Sequence, residues 1–209
     1  MPRLTFPTDR IVGYLDWAGA GDPGAEPFLA HGSVDVPDGV EISLRVESLK
    51  GVTPNPDGSW HVLRDDAHPV VDLEFLVDLP PASIGALVVI GHVEPASTAA
   101  LHHLSVGLHE LILAGTGLSD EVLPFVAQLE NLTYLQTYGN HFTDRGVQQL
   151  RSLTRLEALY LEEANLTFAA FAFACELPRL QFFGVQDVPL TDPEIRQLRT
   201  QLPEAVHFG

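Results

Sequence analysis

One phrase, Leu-x-x-Leu-x-Leu-x₄-Leu, returns at a fixed spacing and decides most of what this chain can become. It reads Leu108-Leu111-Leu113-Leu118, Leu132-Leu135-Thr137-Phe142, Leu156-Leu159-Leu161-Leu166 and Leu180-Phe183-Val185-Leu190. The four starting residues stand 24 apart without a break. A period in this range is the mark of a solenoid, in which each unit buries its apolar side only against its neighbours. Within one unit the fourth and sixth positions are apolar and the third, fifth and seventh are free, which is a short strand with one buried face. Small residues follow (Ala114-Gly115-Thr116-Gly117, Tyr138-Gly139-Asn140) and mark a turn. Next comes Ser119, Thr143, Thr167 or Thr191, followed by Asp in three of the four as Asp120, Asp144 and Asp192. These residue types accept hydrogen bonds at a helix start. Apolar residues then recur at helical spacing: Leu123-Val126-Leu129, Val147-Leu150-Leu153, Phe171-Ala174-Leu177 and Ile195-Leu198-Leu202. Each unit is therefore strand, turn, helix.

The phrase resembles the signature of the leucine-rich-repeat family, and Gly-Thr-Gly-Leu-Ser-Asp at 115–120 is similar to the 24-residue helical subtype of many bacterial proteins. The resemblance covers Ile84 to the C-terminus. It implies an α/β solenoid with a parallel concave sheet and convex helices, used for binding rather than catalysis. Repeats start near 84, 108, 132, 156 and 180, in a domain spanning 71–209. The family's Asn at the ninth position is kept only at Asn140; His92, Thr116, Ala164 and Val188 stand there otherwise. A continuous Asn ladder is thus not expected, and other groups must satisfy the turn backbone. Ile84, Leu87 and Val89 form a worn first repeat, whose register could be off by one. Leu73, Leu76 and Leu79 lead into it at helical spacing, and Ala205–Phe208 reads as a last edge strand.

Residues 1–70 read as a small antiparallel β-domain, with a β-sandwich as one form open to it. It could fold independently or cap the exposed end of the solenoid. Ile11–Leu15 is a short strand, Gly19–Pro27 a loop by composition, and Pro54–Gly58 a turn before a strand at Trp60–Val62. Val34 and Val36, then Pro37-Asp38-Gly39, then Val40, Ile42, Leu44 and Val46 predict a β-hairpin.

Composition narrows the partners. Formal net charge is −17, with Lys50 the sole lysine, which argues against nucleic-acid phosphates and anionic membranes. No apolar run reaches membrane-spanning length and the N-terminus has no cleavable apolar core, so a cytoplasmic setting is the expectation. Cys175 is alone, beside Ala174 in the third helix, and is expected to be a buried structural thiol. His102, His103 and His109 are the closest histidine group, but metal-ligand spacing is lacking, and no nucleophile elbow, phosphate loop or zincin motif occurs. No metal, cofactor or catalytic residue is therefore expected. Asp16-Trp17 and Trp60-His61 are the unusual pairs through which a spatially assembled active site could arise. The six arginines after residue 84 fall in helices or the turns after them, as a solvated convex face or a second, basic contact surface.

The third, fifth and seventh positions point into the concave face. They carry Ala86, Val88, Ile90, Glu110, Ile112, Ala114, Tyr134, Gln136, Tyr138, Ala158, Tyr160, Glu162, Phe182, Gly184 and Gln186. Three of the four tyrosines fall in this set, although the core at positions one, four and six needs none of them. Clustered aromatic and apolar residues on one face mark a binding surface. Glu110, Glu157, Glu162, Glu163 and Asp187 rim it. The expected site is therefore Glu110, Ile112, Tyr134, Gln136, Tyr138, Tyr160, Glu162, Glu163, Phe182 and Gln186, taking a protein or peptide with basic groups. The competing reading is that the rings only cover the sheet or pack on the β-domain. Two other functions stay open: an acidic inhibitor or immunity protein blocking a basic enzyme such as a nuclease, and a structural subunit of an assembly. The acidity is spread over both halves, about −9 before residue 84 and about −8 after by side-chain count, whereas a nuclease blocker would focus it on one face.

Overall fold

The computed structural model describes residues 2–17, 28–54, 60–64, 70–162, 166–186, 188–202 and 205–208. The repeats form strands β7 (Ala86–Ile90), β8 (Glu110–Ala114), β9 (Tyr134–Tyr138), β10 (Ala158–Glu162) and β11 (Phe182–Val185), continued by β12 (Ala205–Phe208). Neighbours pair in parallel, and the register is constant: Ala86 faces Glu110, Glu110 faces Tyr134, Tyr134 faces Ala158, and Ala158 faces Phe182. Every step is one repeat long, so equivalent residues stack in rows. The expected strand at 205–208 is present, paired with β11.

The sheet continues past β7 into the first 70 residues. Strand β5 (Ile42–Pro54) pairs in parallel with β7 and antiparallel with β2 (Ile11–Trp17) and β6 (Trp60–Arg64), while β3 (Phe28–Leu29) borders β2. The apolar edge of the first repeat is thus covered by β5. Separately, β1 (Arg3–Thr5) and β4 (Ser33–Asp35) form a two-stranded sheet, braced by the Arg3–Asp35 ion pair at 2.7 Å.

The hairpin read at 33–46 does not form. Gly39 turns with φ +74, but β4 pairs with β1 and β5 joins the main sheet. Pro37 has no N–H to donate to a ladder, and the Val36 N–H donates instead to the Pro2 carbonyl at 2.9 Å. The readings at Gly19–Pro27 and at the Pro54–Gly58 turn fall largely or wholly outside the described residues.

Core positions follow the repeat. Leu108, Leu111, Leu113, Leu132, Leu135, Leu156, Leu159 and Leu161 are fully buried, and Leu87 and Val89 are too, which fixes the first repeat in the register first read. Each such leucine contributes about 1.5–3 kcal/mol by leaving water.

The side opposite the sheet is helical, but mostly as 3₁₀ helix. Glu74–Asp78, Pro95–Leu104, Gln148–Ser152 and Phe168–Glu176 are 3₁₀ segments, and Leu123–Val126 and Asp144–Val147 are single α turns. Among the described residues only Asp192–Gln201 is an α-helix of ordinary length. The apolar spacing is compatible with this, although Leu123-Val126-Leu129 has the same step and begins on an α turn. Leu73-Leu76-Leu79, Val147-Leu150-Leu153 and Phe171-Ala174-Leu177 advance strictly by three, the period of a 3₁₀ helix. Ile195-Leu198-Leu202 advances by three and then four, which suits 3.6 residues per turn.

That period also corrects the reading of Cys175. Phe171 and Ala174 face the core, whereas Ala172 and Cys175, each one residue on, face outward, so Cys175 is exposed. Partial burial still pushes its thiol pKa up, disfavouring the reactive thiolate.

The stack is stitched between repeats. The Asp120 carboxylate accepts from the Thr143 N–H at 2.9 Å and hydroxyl at 2.6 Å, and Asp144 does the same for Thr167 at 2.8 and 2.6 Å. Each aspartate therefore serves the helix start of the following repeat. In the repeat that starts at 156 Phe168 takes the aspartate's place, and Thr191 is served instead by Glu194 of its own helix. At the ninth position Thr116 donates to Asn140, a two-residue remnant of a polar ladder. Asn140 in turn donates to the carbonyls of Leu113 and Tyr138, and backbone bonds such as Gly115 N–H to Tyr138 carbonyl (2.7 Å) satisfy the adjoining turns. Gly91, Gly115 and Gly139 occupy the turn position where φ is positive, at +90, +61 and +66.

Candidate functional site

Residues paired in register share a face of the sheet. One such row crosses nearly the whole molecule: Tyr14, Arg45, Val88, Ile112, Gln136, Tyr160, Gly184. A second runs Ser43, Ala86, Glu110, Tyr134, Ala158, Phe182, and a third joins Ala114, Tyr138 and Glu162. The structure thus brings Glu110, Ile112, Tyr134, Gln136, Tyr138, Tyr160, Glu162 and Phe182 together on one face. Gln186 is exposed just beyond β11. Glu163 and Asp187 lie outside the described residues. Glu157 is exposed at the rim, one residue before β10.

All four tyrosines share this face, because Tyr14 joins it through β2 and β5. Sequence reasoning missed Tyr14 because the pairing of β2 with β5 cannot be read from local pattern. The local order Tyr14-Leu15-Asp16-Trp17 does alternate as a half-buried strand would, and in the structure Leu15 and Trp17 are buried while Tyr14 and Asp16 are not.

At the centre, the rings of Tyr134 and Tyr160 lie 5.6 Å apart, tilted by 39°. The Tyr134 hydroxyl donates to Gln136 Oε1 at 2.8 Å, and Gln136 Nε2 donates to Glu162 Oε1 at 3.2 Å. This chain orients Glu162 beside the rings. Gly184 makes room for Tyr160, since a Cβ there would stand 2.1 Å from Tyr160 Cδ1. Burial pushes the Tyr134 phenol pKa up, and the neighbouring Tyr160, Glu110 and Glu162 push it the same way. Negative potential therefore converges on this ring. Further out, Tyr138 and Phe182 are 40% and 44% exposed, well above the core rings that pack behind the sheet, such as Phe171 and Phe183.

The N-terminal end of the face carries a related arrangement. The Arg45 guanidinium sits 5.7 Å from the Tyr14 ring centroid and Arg45 Nε lies 3.3 Å from Glu47 Oε1. Burial raises the Tyr14 pKa, Arg45 opposes that, and Glu47 and Asp16 reinforce it.

The other candidates scatter. Trp17 is buried against Phe28 at 4.4 Å, so the Asp16-Trp17 pair is not an exposed one, and the side chains of Trp60 and His61 lie outside the description. His103 bonds the Leu79 carbonyl at 2.7 Å, while His109 Nε2 stands 3.2 Å from Glu41 Oε2 at the sheet's rim. Among the described residues no group of three or more His, Cys, Asp or Glu is placed to hold a metal ion, and no helix is long and apolar enough to cross a membrane. On the helical side a cleft of about 480 Å³ opens between Phe168–Glu176 and Asp192–Gln201; its lining holds Cys175 and a single carboxylate, Glu176.

No family model and no curated protein matches this chain. Among solved structures, internalin C2 from Listeria monocytogenes is similar over 66% of this chain and 66% of its own, with 19% identity and a TM-score of 0.47. The chain's own strand pairing is what defines the architecture. Parallel strands at a constant register of one repeat, buried and mostly apolar residues at the first, fourth and sixth positions, and helical turns on the opposite side give the described residues the architecture of a leucine-rich-repeat solenoid, with antiparallel strands at the N-terminal end.

Proposed function

We propose that this chain is a non-catalytic interaction module that takes a partner protein or peptide onto the concave face of its sheet. The observation that carries the reading is the placement of four tyrosines and Phe182 on one face, with Tyr138 and Phe182 40% and 44% exposed. Large rings held in solvent beside buried cores are what anchor interfaces elsewhere. Tyr134, Tyr138, Tyr160, Phe182 and Ile112 serve as anchors; Glu110, Glu162 and Glu163 select a basic partner. Binding is by complementarity: the rings lose water on contact and the carboxylates steer approach. A lone, exposed thiol suits a reducing compartment such as the cytoplasm.

The test compares the wild type with a Tyr134/Tyr160/Phe182 triple-alanine variant of matched far-ultraviolet circular dichroism, each used to capture partners from the native extract. Loss of one specific protein with the variant is the expected result, and Tyr160→Ala alone should weaken that complex by about 2 kcal/mol. Identical partners with both proteins would overturn the concave-face reading. The net charge of −17 favours one other reading, an acidic inhibitor of a basic enzyme. A complex weakening steeply with salt, with a basic enzyme as its captured partner, supports that reading.

A further inference from the structure

The sheet face carries two neighbourhoods built from the same parts. At the N-terminal end a tyrosine ring (Tyr14), a guanidinium (Arg45) and a carboxylate (Glu47) sit together, with Arg45 over the ring and in contact with the glutamate. On the repeats, the Tyr134 and Tyr160 rings lie between two carboxylates. Glu110 is the register partner of Tyr134, and Glu162 is tied to Tyr134 through Gln136. The facing positions of β7 to β11 carry no Lys or Arg among the described residues. The Glu110 carboxylate and the Tyr160 hydroxyl have no hydrogen-bond partner among the described residues.

We infer that the Tyr134–Tyr160 pair, flanked by Glu110 and Glu162, is a recognition site for an arginine side chain of the partner. This rests on the concave-face reading and names the chemistry it selects. The argument is one of charge and shape. A ring face attracts a cation through its quadrupole, and the planar guanidinium stacks on a ring while its edge donates two hydrogen bonds to a carboxylate. The two carboxylates that disfavour a phenolate at Tyr134 favour a cation in the same place. Gln136 holds Glu162 in position before binding, so little order is lost on contact. The Tyr14–Arg45–Glu47 group shows the same chemistry satisfied within the chain, about three strand spacings away, roughly 14 Å.

The test uses the full chain labelled with 3-fluorotyrosine, whose four fluorine signals are assigned by single Tyr→Phe variants. The probe is a blocked Gly-Gly-Arg-Gly-Gly peptide; its control carries citrulline, which has the same shape without the charge. The expected result is a saturable shift of the Tyr134 and Tyr160 signals with the arginine peptide and none with citrulline. The Tyr14 signal stays in place. Glu162→Gln and Glu110→Gln should each weaken the probe at least fivefold, with far-ultraviolet circular dichroism of the free variants matching the wild type. No shift at Tyr134 and Tyr160, or equal shifts with both peptides, would overturn the inference. That failure is distinct from failure of the broader reading. A partner still lost on triple-alanine substitution, with no response to the arginine peptide, keeps the concave face and removes the arginine site.

Discussion

Thr137 occupies the sixth position of its repeat, where the other repeats place Val89, Leu113, Leu161 and Val185. It is 1% exposed, and its hydroxyl has no hydrogen-bond partner among the described residues. A buried donor left unpaired costs free energy that an apolar group of the same shape does not. Thr137→Val should therefore raise stability by about 1 kcal/mol, read as a higher denaturant midpoint at an unchanged slope. The core at this position was legible from spacing alone, because burial in a solenoid follows the repeat. The face opposite was legible for the same reason, down to Tyr134, Tyr160 and Phe182. What spacing could not give was contact across repeats: the Gln136 bridge to Glu162 and the space that Gly184 leaves for Tyr160 depend on side-chain rotation over a neighbouring strand.

At the level of single elements, the helical segments divide by how their starts are secured. The final helix brings its own cap, since the Glu194 carboxylate accepts from both the N–H and the hydroxyl of Thr191. These bonds hold the Glu194 pKa below its ordinary 4.5. A carboxyl whose folded pKa is depressed adds stability that is present above its unfolded pKa and lost as pH falls through the folded one. Amide protection at Asp192–Gln201 should thus drop on acidification below the ordinary glutamate range. Thr191→Ala should return the Glu194 titration, followed by nuclear magnetic resonance, to that ordinary range. The Ser/Thr-Asp pairs were visible in the sequence as helix-start residues, but their partners were not: a carboxylate in one repeat meets a threonine 23 residues later only once the stack exists. The 3₁₀ form was hidden differently. Apolar residues three apart are compatible with either form: Phe171-Ala174 lies on 3₁₀ helix, whereas Leu123-Val126, at the same step, lies on an α turn. The hairpin at 33–46 failed because alternation names strands without naming their partners.

At the scale of the whole molecule, nearest-neighbour stacking makes the repeat a removable part. Deleting residues 132–155 brings Thr167 to the same distance from Asp120 that Thr143 now holds, and joins β8 to β10 in the same register. That shortened chain should unfold in one cooperative transition at a lower midpoint. Deleting 132–147 instead breaks the period and should leave no such transition; circular dichroism during denaturant unfolding distinguishes the two. The stitching also has a direction. Asp120 and Asp144 belong to the earlier repeat in each contact, and the threonines they hold belong to the later one. A chain leaving the ribosome N-terminus first therefore meets each new helix start with its acceptor already in place, and none of these helix starts waits on residues still to be synthesised. The relay stops at Phe168, and the last helix, carrying Glu194, is equipped to begin on its own.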